Sequence, residues 1–430
     1  MKRVLLRLAA LLLILVALFA AWLIWANRNS DLAQPSVAPS DPAAQIVQGA
    51  YLVRVGNCAG CHTARGGASY AGGRAVPTPF GDIYASNLTP DRVSGIGDWS
   101  NEDFWRAMHD GRGKDARLLY PAFPYTNYTK LTRADSDAIF AYLKTLPPVQ
   151  QVNRAPELRF PYDQRALLYV WRALYFRPGQ YVANESKPAA WNRGAYLTQG
   201  LGHCSACHAP RDGFGGNKLR EELGGGMIPM LNWYAPPLNG NHTAGLGDWT
   251  EADLAAFLKT GISSTRAASG PMAEVVHNSL QYLQDDDIQA IATYVRSLPQ
   301  QVPAPQAAPD RIGKEEKRAI LELGQSLYED RCASCHQANG EGVSSIYPRL
   351  AGNHAVTSAI ATNPIRVVLN GGFPPSTAGN PRPYGMPPFA PTMSDEQVAA
   401  VISYIRNAWG NEAGIVSPAE VNRYRTRQEH

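Results

Sequence analysis

Cys58-Ala59-Gly60-Cys61-His62, Cys204-Ser205-Ala206-Cys207-His208 and Cys332-Ala333-Ser334-Cys335-His336 decide how this sequence is read. All six cysteines of the 430-residue chain lie in these three C-x-x-C-H copies, so none is left over for a disulfide. Two cysteines three apart on a helical turn can each close a thioether to one edge of a porphyrin, and the histidine after them projects toward the iron from the same side. The spacing therefore predicts three covalent haem c groups, held by Cys58, Cys61, Cys204, Cys207, Cys332 and Cys335, with His62, His208 and His336 as proximal iron ligands. A zinc site would need a fourth ligand and usually a second C-x-x-C nearby. A thioredoxin-like redox pair has no use for a histidine in every copy.

Working outward from the motifs, the surrounding sequence repeats as a module. Each copy opens on a helical stretch that runs into the motif: Gly49-Ala50-Tyr51-Leu52, Gly194-Ala195-Tyr196-Leu197 and Gly324-Gln325-Ser326-Leu327-Tyr328. Each closes on an amphipathic helix with an aromatic, an aliphatic and a base: Tyr142-Leu143-Lys144, Tyr294-Val295-Arg296 and Tyr404-Ile405-Arg406. Acidic residues stand near the starts of these helices (Asp135, Asp137, Asp285 to Asp287, Asp395, Glu396), where they complement the positive end of the helix dipole. Pro147 and Pro299 stop the first two. Gly95-Ile96-Gly97-Asp98-Trp99-Ser100 recurs as Gly245-Leu246-Gly247-Asp248-Trp249-Thr250, with Ser100 and Thr250 in N-cap positions. The expected fold class is all-α: tandem haem-binding domains at 46–150, 190–300 and 312–415. Residues 30–45 read as a tether, 301–311 as a Pro/Ala spacer and 416–430 as a tail. The longer joint 151–189 carries an aromatic run, Leu167 to Phe176. It is expected to form a helix against a neighbouring domain, with a partner-docking surface as the alternative.

Residues 1–29 form a separate segment. Lys2, Arg3 and Arg7 precede Leu8 to Ala26, a run without charged or polar residues. Its length, about 1.5 Å per residue, approaches the roughly 30 Å hydrocarbon core. The run ends in bulky Trp22-Leu23-Ile24-Trp25-Ala26, which suits an interfacial belt better than a cleavage site. An uncleaved membrane anchor is expected, with a signal peptide as the alternative, and the basic residues place the rest of the chain outside the cytoplasmic membrane.

Hydrophobic residues at 45% and charged residues at 18% are ordinary globular values and exclude a disordered or collagenous chain. A net charge of +4, from 40 basic and 36 acidic residues, lacks the clustered excess of a nucleic-acid binder. The sequence carries no Ser-His-Asp set, P-loop, dinucleotide fingerprint or paired-carboxylate signature, so no catalytic site of its own is expected.

The sixth iron ligand is read from the methionines. Met386, in Tyr384-Gly385-Met386-Pro387-Pro388, lies before the last helix of the third module. Met272, in Gly270-Pro271-Met272-Ala273, has the same place in the second. Met393 reads as packing, and Met227 and Met230 as loop or interface residues. In the first module the matching loop is Tyr120-Pro121-Ala122-Phe123-Pro124-Tyr125, with Phe123 in place of sulfur. Either Met108 is the ligand there, or the sixth position is open or weakly filled. His109 is expected at the surface, and His203, His242, His277, His354 and His430 as structural or exposed residues. Pro236-Pro237-Leu238-Asn239-Gly240 and Pro348-Arg349-Leu350-Ala351-Gly352 share P-x-L-x-G and are expected to offer a carbonyl to His208 and His336. Trp99 and Trp249 are expected to wall haems or fill cores.

The chain after the anchor resembles the three-haem cytochrome c subunit of bacterial membrane-bound periplasmic dehydrogenases. The resemblance is carried by Gly49 to His62, Pro79-Phe80-Gly81, Asn87-Leu88-Thr89-Pro90, Gly95 to Trp99, Tyr120 to Tyr125, Met272 to Tyr282 and Met386-Pro387-Pro388-Phe389. It implies class I cytochrome c-like domains and an electron relay. A catalytic subunit with flavin, pyrroloquinoline quinone or molybdenum oxidises an alcohol, aldehyde, sugar acid or N-heterocycle, and ubiquinone in the membrane takes the electrons. In alcohol- and gluconate-oxidising members the loop reads Y-P-A-M-P-Y. Phe123 departs from this and tilts the resemblance toward members paired with molybdenum-containing subunits. Two alternatives stand beside it: a free-standing electron shuttle, and a peroxidase or sensor with an open first haem.

Overall fold

The computed structural model describes residues 1–28, 41–218, 221–242, 244–299 and 312–425. Residues 30–40 of the expected tether, the whole 301–311 spacer and His430 lie outside these. The chain begins with α1 (Lys2–Ala26), a helix long and apolar enough to cross a membrane. The first haem-motif domain contains α2 (Pro42–Val55), α3 (Cys58–His62), α4 (Asn101–Asp110), α5 (Tyr125–Tyr128) and α6 (Arg133–Leu143). Helix α2 starts within the stretch expected as tether, because Asp41 caps Ala43 and Ala44 and Pro42 is pre-set for the first turn. The joint contributes α7 (Leu167–Tyr175). The second domain contains α8 (Ala189–Gln199), α9 (Ser205–His208), α10 (Glu251–Thr260), α11 (Gly270–Asn278) and α12 (Asp285–Ser297). The third contains α13 (Lys314–Arg331), α14 (Ala333–His336), α15 (His354–Thr357), α16 (Thr362–Asn370) and α17 (Asp395–Ile405).

Strand content is small. In the first domain β1 (Ala75–Thr78) pairs antiparallel with β2 (Gly81–Tyr84), and β3 (Glu157–Leu158) of the joint adds to β2. In the second, β4 (Gly226–Ile228) pairs with β5 (Trp233–Ala235). The described part of the expected tail, 416–425, packs on the third domain. Residues Pro418–Arg425 form α18, which folds back with Val421 fully buried and Arg425 bonded to Asp395 and to the Ala390 and Met393 carbonyls.

One contact recurs in every domain. The helix leading into the motif crosses the closing helix at a glycine: α2 on α6, α8 on α12 and α13 on α17. A Cβ on Gly49 would lie 1.9 Å from the Ala138 carbonyl oxygen. On Gly194 it would lie 1.9 Å from that of Ala290, and on Gly324 2.2 Å from that of Ala400. Tyr142, Tyr294 and Tyr404 close over these glycines. The first two domains share one hydrophobic core, built from Leu52, Ile139 and Leu143 of the first and Leu197, Leu283 and Ile291 of the second. The third has its own, around Tyr328, Leu369, Val398 and Ile402.

The first two domains are joined by reciprocal contacts. Tyr51 donates to Asp287 of the second domain, and Tyr196 donates to Asp135 of the first. Tyr51 Oη in turn accepts from the Gln284 amide, and Tyr196 Oη from the Thr132 amide. The pair is thus pseudo-two-fold. The third domain docks on the second through Asn363, which bonds both backbone groups of Tyr234, and through Thr377 on Thr260.

Gly194→Val should separate α8 from α12 and lower stability by about 3 kcal/mol. Guanidinium unfolding of the haem-loaded chain, followed by far-UV circular dichroism, measures this. A variant as stable as the wild type would show that the crossing tolerates a side chain.

Candidate functional site

Each motif forms a short helical turn directly after the helix that crosses at glycine, so helix packing sets its direction. In the first two domains the turn is reached through a residue in the left-handed region: Asn57 at φ 49° and His203 at φ 39°. The histidine that ends each turn is held by a backbone carbonyl. His208 Nδ1 donates to Pro236 O at 2.7 Å and His336 Nδ1 to Pro348 O at 3.0 Å, as the P-x-L-x-G pattern predicts. His62 Nδ1 donates to Ser86 O at 2.7 Å. The sequence did not point to Ser86, because the first domain reads Ser86-Asn87-Leu88-Thr89-Pro90 where the others have P-x-L-x-G. In all three, burial holds the imidazole below its ordinary pKa and the carbonyl only partly reverses this. Each ring is therefore neutral, with its proton fixed on Nδ1 and the Nε2 lone pair free to bind a metal.

The six cysteines are unpaired thiols. Burial pushes Cys58 and Cys204 up to about 12 and Cys332 up to about 11. Cys61 and Cys207 also lie above the ordinary thiol value through burial, and the Cys61 thiol adds to the rise at Cys207. The motif edges of the first two domains therefore lie within electrostatic reach of each other. The cross-domain contacts here are again reciprocal. Asn127, on α5, donates to Ser205 Oγ and Gln199 O beside the second motif, at 2.9 and 2.8 Å. Ser279, just after α11, donates to Val55 O beside the first. Arg74 reaches the Gly60 carbonyl and pairs with Glu274 of the second domain at 2.8 Å, while Arg211 bonds the Ala206 carbonyl.

This donor set fits haem c. Each motif offers two uncommitted thiols beside a neutral histidine fixed through its far nitrogen. Among the described residues no group of three or more His, Cys, Asp or Glu side chains is placed to hold a metal ion.

Met272 lies in the first turn of α11, a helix where a loop was expected, and is half-buried. Met386 is half-buried on the loop before α17, where its amide and carbonyl pair with Gly372 at 2.8 and 3.0 Å. Met108 is buried on α4 in the shared core with Phe104 and Ile139. Phe123 packs on the same core, which Cys58 also touches, and its ring meets Tyr128 at 5.2 Å. Met393 is buried in the third core, and Met227 and Met230 are exposed on and beside β4. Trp99 and Trp249 pack against the shared core.

His109 departs from expectation. It is buried, stacked on Trp105 at 4.5 Å and faced by Thr129, because the chain after α5 closes over that side of α4. His277 and His354 bond Ser376 O and Gly245 O across the interface of the second and third domains, and His242 bonds Asp248. His203 bonds Leu201 O and meets Tyr128 of the first domain edge-on at 5.6 Å.

A tandem of helical domains, each presenting two thiols and a neutral imidazole on one turn, defines a multihaem electron-transfer protein. The cytochrome c family model matches residues 46–147, 192–299 and 321–409, and the chain belongs to that family. It carries three haem c groups and transfers electrons. The cytochrome c subunit of the quinone-type alcohol dehydrogenase of Komagataeibacter europaeus is 37% identical, over 90% of this chain and 85% of its own length. The gluconate 2-dehydrogenase cytochrome c subunit of Pantoea cypripedii is 38% identical, over 86% and 87%. A nicotinate dehydrogenase subunit of Pseudomonas putida is 39% identical over 91% of this chain, which spans 32% of that longer protein.

Burial pushes the Asp287 carboxyl up, but hydrogen bonds from Arg193 and Tyr51 outweigh it and hold the group below the ordinary carboxylate value. A depressed folded pKa stabilises the fold above the unfolded value, and this contribution is lost as pH falls through the folded one. Asp287→Asn should therefore cost about 2 kcal/mol at pH 7 and flatten the acid limb of stability below about pH 4. Chemical denaturation at a series of pH values tests this. An unchanged acid limb would show that Asp287 does not lock the two domains.

Proposed function

We propose that this chain is the electron-carrying subunit of a membrane-bound dehydrogenase complex on the periplasmic face of the inner membrane. Cys58, Cys61, Cys204, Cys207, Cys332 and Cys335 would attach the three haems, and His62, His208 and His336 would bind the irons. The observation that carries this reading is the carbonyl-fixed histidine beside two free thiols in all three domains. Bound haem supplies a one-electron couple. The protein's part would be to fix each imidazole, to supply the sulfur of Met272 and Met386 to the second and third irons, and to hold the first two motifs near each other. The neighbouring Cys61 and Cys207 support transfer between the first two sites. The named relatives belong to alcohol, gluconate and nicotinate dehydrogenases. A catalytic partner with flavin, pyrroloquinoline quinone or molybdenum is read as the electron source and ubiquinone as the acceptor. Phe123 tilts the partner toward the molybdenum group.

The anchor reading is supported by Asn27, which comes directly after α1. It is buried, donates to Tyr169 O at 2.9 Å, and accepts from Arg112 at its carbonyl and from Arg172 at its side chain. The end of α1 is thus built into the fold. At the first haem, Met108 is the sulfur on offer. The loop carrying Phe123 favours a second reading, in which the sixth position there is weakly filled.

Two measurements test this. Membranes extracted in mild detergent, with this subunit captured, are given ethanol, acetaldehyde, gluconate and nicotinate in turn while the reduced haem band is followed. Reduction by one of them, with a large second subunit in the same fraction, is expected. No reduction and no dehydrogenase in cells grown on those substrates would leave a free-standing shuttle. The double variant Cys204→Ala/Cys207→Ala should retain two of the three haems per chain by pyridine haemochrome. In the reduced wild type carbon monoxide should bind the first haem, and Met386→Ala should open one more; a wild type inert to carbon monoxide would assign Met108 as ligand.

A further inference from the structure

Helix α7 carries an exposed apolar stripe that the function described so far does not use. Leu168, Arg172 and Ala173 are its buried face, set against the first domain, where Arg172 bonds the Asp110 carbonyl and lies over the Phe176 ring. The opposite face carries Leu167, Val170, Trp171 and Leu174, spaced i, i+3, i+4 and i+7. Leu167 is 44% and Leu174 45% exposed, and Val170 and Trp171 are half-exposed. An amphipathic helix in water turns polar residues outward, whereas α7 turns an apolar row outward. Trp171 Nε1 bonds the carbonyl of Phe214, itself 64% exposed, so the row continues onto the second domain.

The neighbour of this face indicates what covers it. Helix α7 packs on the last turn of α1, where Trp22, Leu23 and Ala26 are partly covered, and Asn27 is bonded to Tyr169 and Arg172. Trp22 lies four residues inside the end of the apolar run, a depth of about 6 Å at 1.5 Å per residue. A helix touching that turn stands at the level of the lipid headgroups when α1 spans the bilayer. Arg28, just past the end of α1, and Arg165 and Arg177, which flank α7 in sequence, are exposed and suit anionic headgroups. Tyr169, half-exposed beside them, has the amphipathic ring that interfaces favour.

We propose that the outward face of α7 is a second membrane contact, an interfacial helix seated in the lipid surface beside the end of α1. Two attachments fix orientation as well as position, so the joint between the first two domains lies against the bilayer rather than swinging on a single helix. The inference rests on the reading of α1 as a retained anchor, and the test separates the two.

A photoreactive amino acid is placed, one position at a time, at Ile14 of α1, at Leu174 of α7 and at Leu323 of α13, whose 46% exposure matches that of Leu174. The full-length haem-loaded chain is irradiated in native membranes and adducts are identified by mass. Ile14 reports the anchor and Leu323 sets the background. Lipid adducts at Leu174 should exceed those at Leu323 by about tenfold, the acyl-chain concentration at an interface being far above that met in solution. The double variant Leu167→Glu/Val170→Glu, on exposed or half-exposed positions, should bring the Leu174 adduct down to background without loss of haem. Lipid adducts at Ile14 with none above background at Leu174 would overturn the proposal and leave the anchor standing. Protein adducts at Leu174 would overturn it in favour of a subunit interface. Mature chains lacking residues 1–26 would overturn the anchor reading, and Leu174 would then decide the α7 contact by itself.

Discussion

The rest of the structure depends on a helix crossing with no room for a side chain. At Gly49, Gly194 and Gly324 the backbone meets the carbonyl of the closing helix so closely that a single Cβ would overlap it. Close approach fixes the angle between the two helices. The motif turn begins within ten residues of each glycine, so that angle also fixes where the thiols and the histidine point. The carbonyls of Ser86, Pro236 and Pro348 then complete each site by orienting the ring. Glycine in a helix normally costs stability. Here it permits a crossing that larger residues would force apart.

The three copies have diverged in their partnerships. The first two form a reciprocal pair, with tyrosine and aspartate exchanged in both directions and a common core. The third keeps its own core and replaces the exchange with α18, whose Arg425 binds Asp395. Within the second domain Arg193 pairs with Asp287 and so holds the carboxylate to which Tyr51 of the first domain donates. Polar contacts around an apolar shared core fix the register of the two domains, because a slip would take the Tyr51 and Tyr196 hydroxyls from the carboxylates of Asp287 and Asp135.

Much of the site was legible because its chemistry is local. C-x-x-C-H needs only one turn of helix to be meaningful, and P-x-L-x-G marked two of the three histidine carbonyls. Ser86 was missed because an ordinary Ser-Asn dipeptide offers the same carbonyl that proline offers elsewhere, and any residue type can supply a backbone oxygen. His109 was misplaced because a helix shows its polar pattern in sequence but not how much of its circumference neighbours will cover. The tail was misread for a similar reason: Val416 and Val421 are too few to mark a core face until α17 lies beneath them.

By itself the sequence determined the number of haem sites, the helical module and its repeat, the caps at Ser100 and Thr250, and an apolar N-terminal segment of spanning length. These depend on spacings of a few residues, where covalent geometry and helix period leave little choice. Only the tertiary structure decided that the first two motifs lie within electrostatic reach of each other, that Asn27 ties α1 to the joint, and that α7 turns an apolar row outward. Those facts depend on contacts between residues from 62 to 224 positions apart. Such contacts are set by the shape of whole packed surfaces, which no short stretch of sequence encodes.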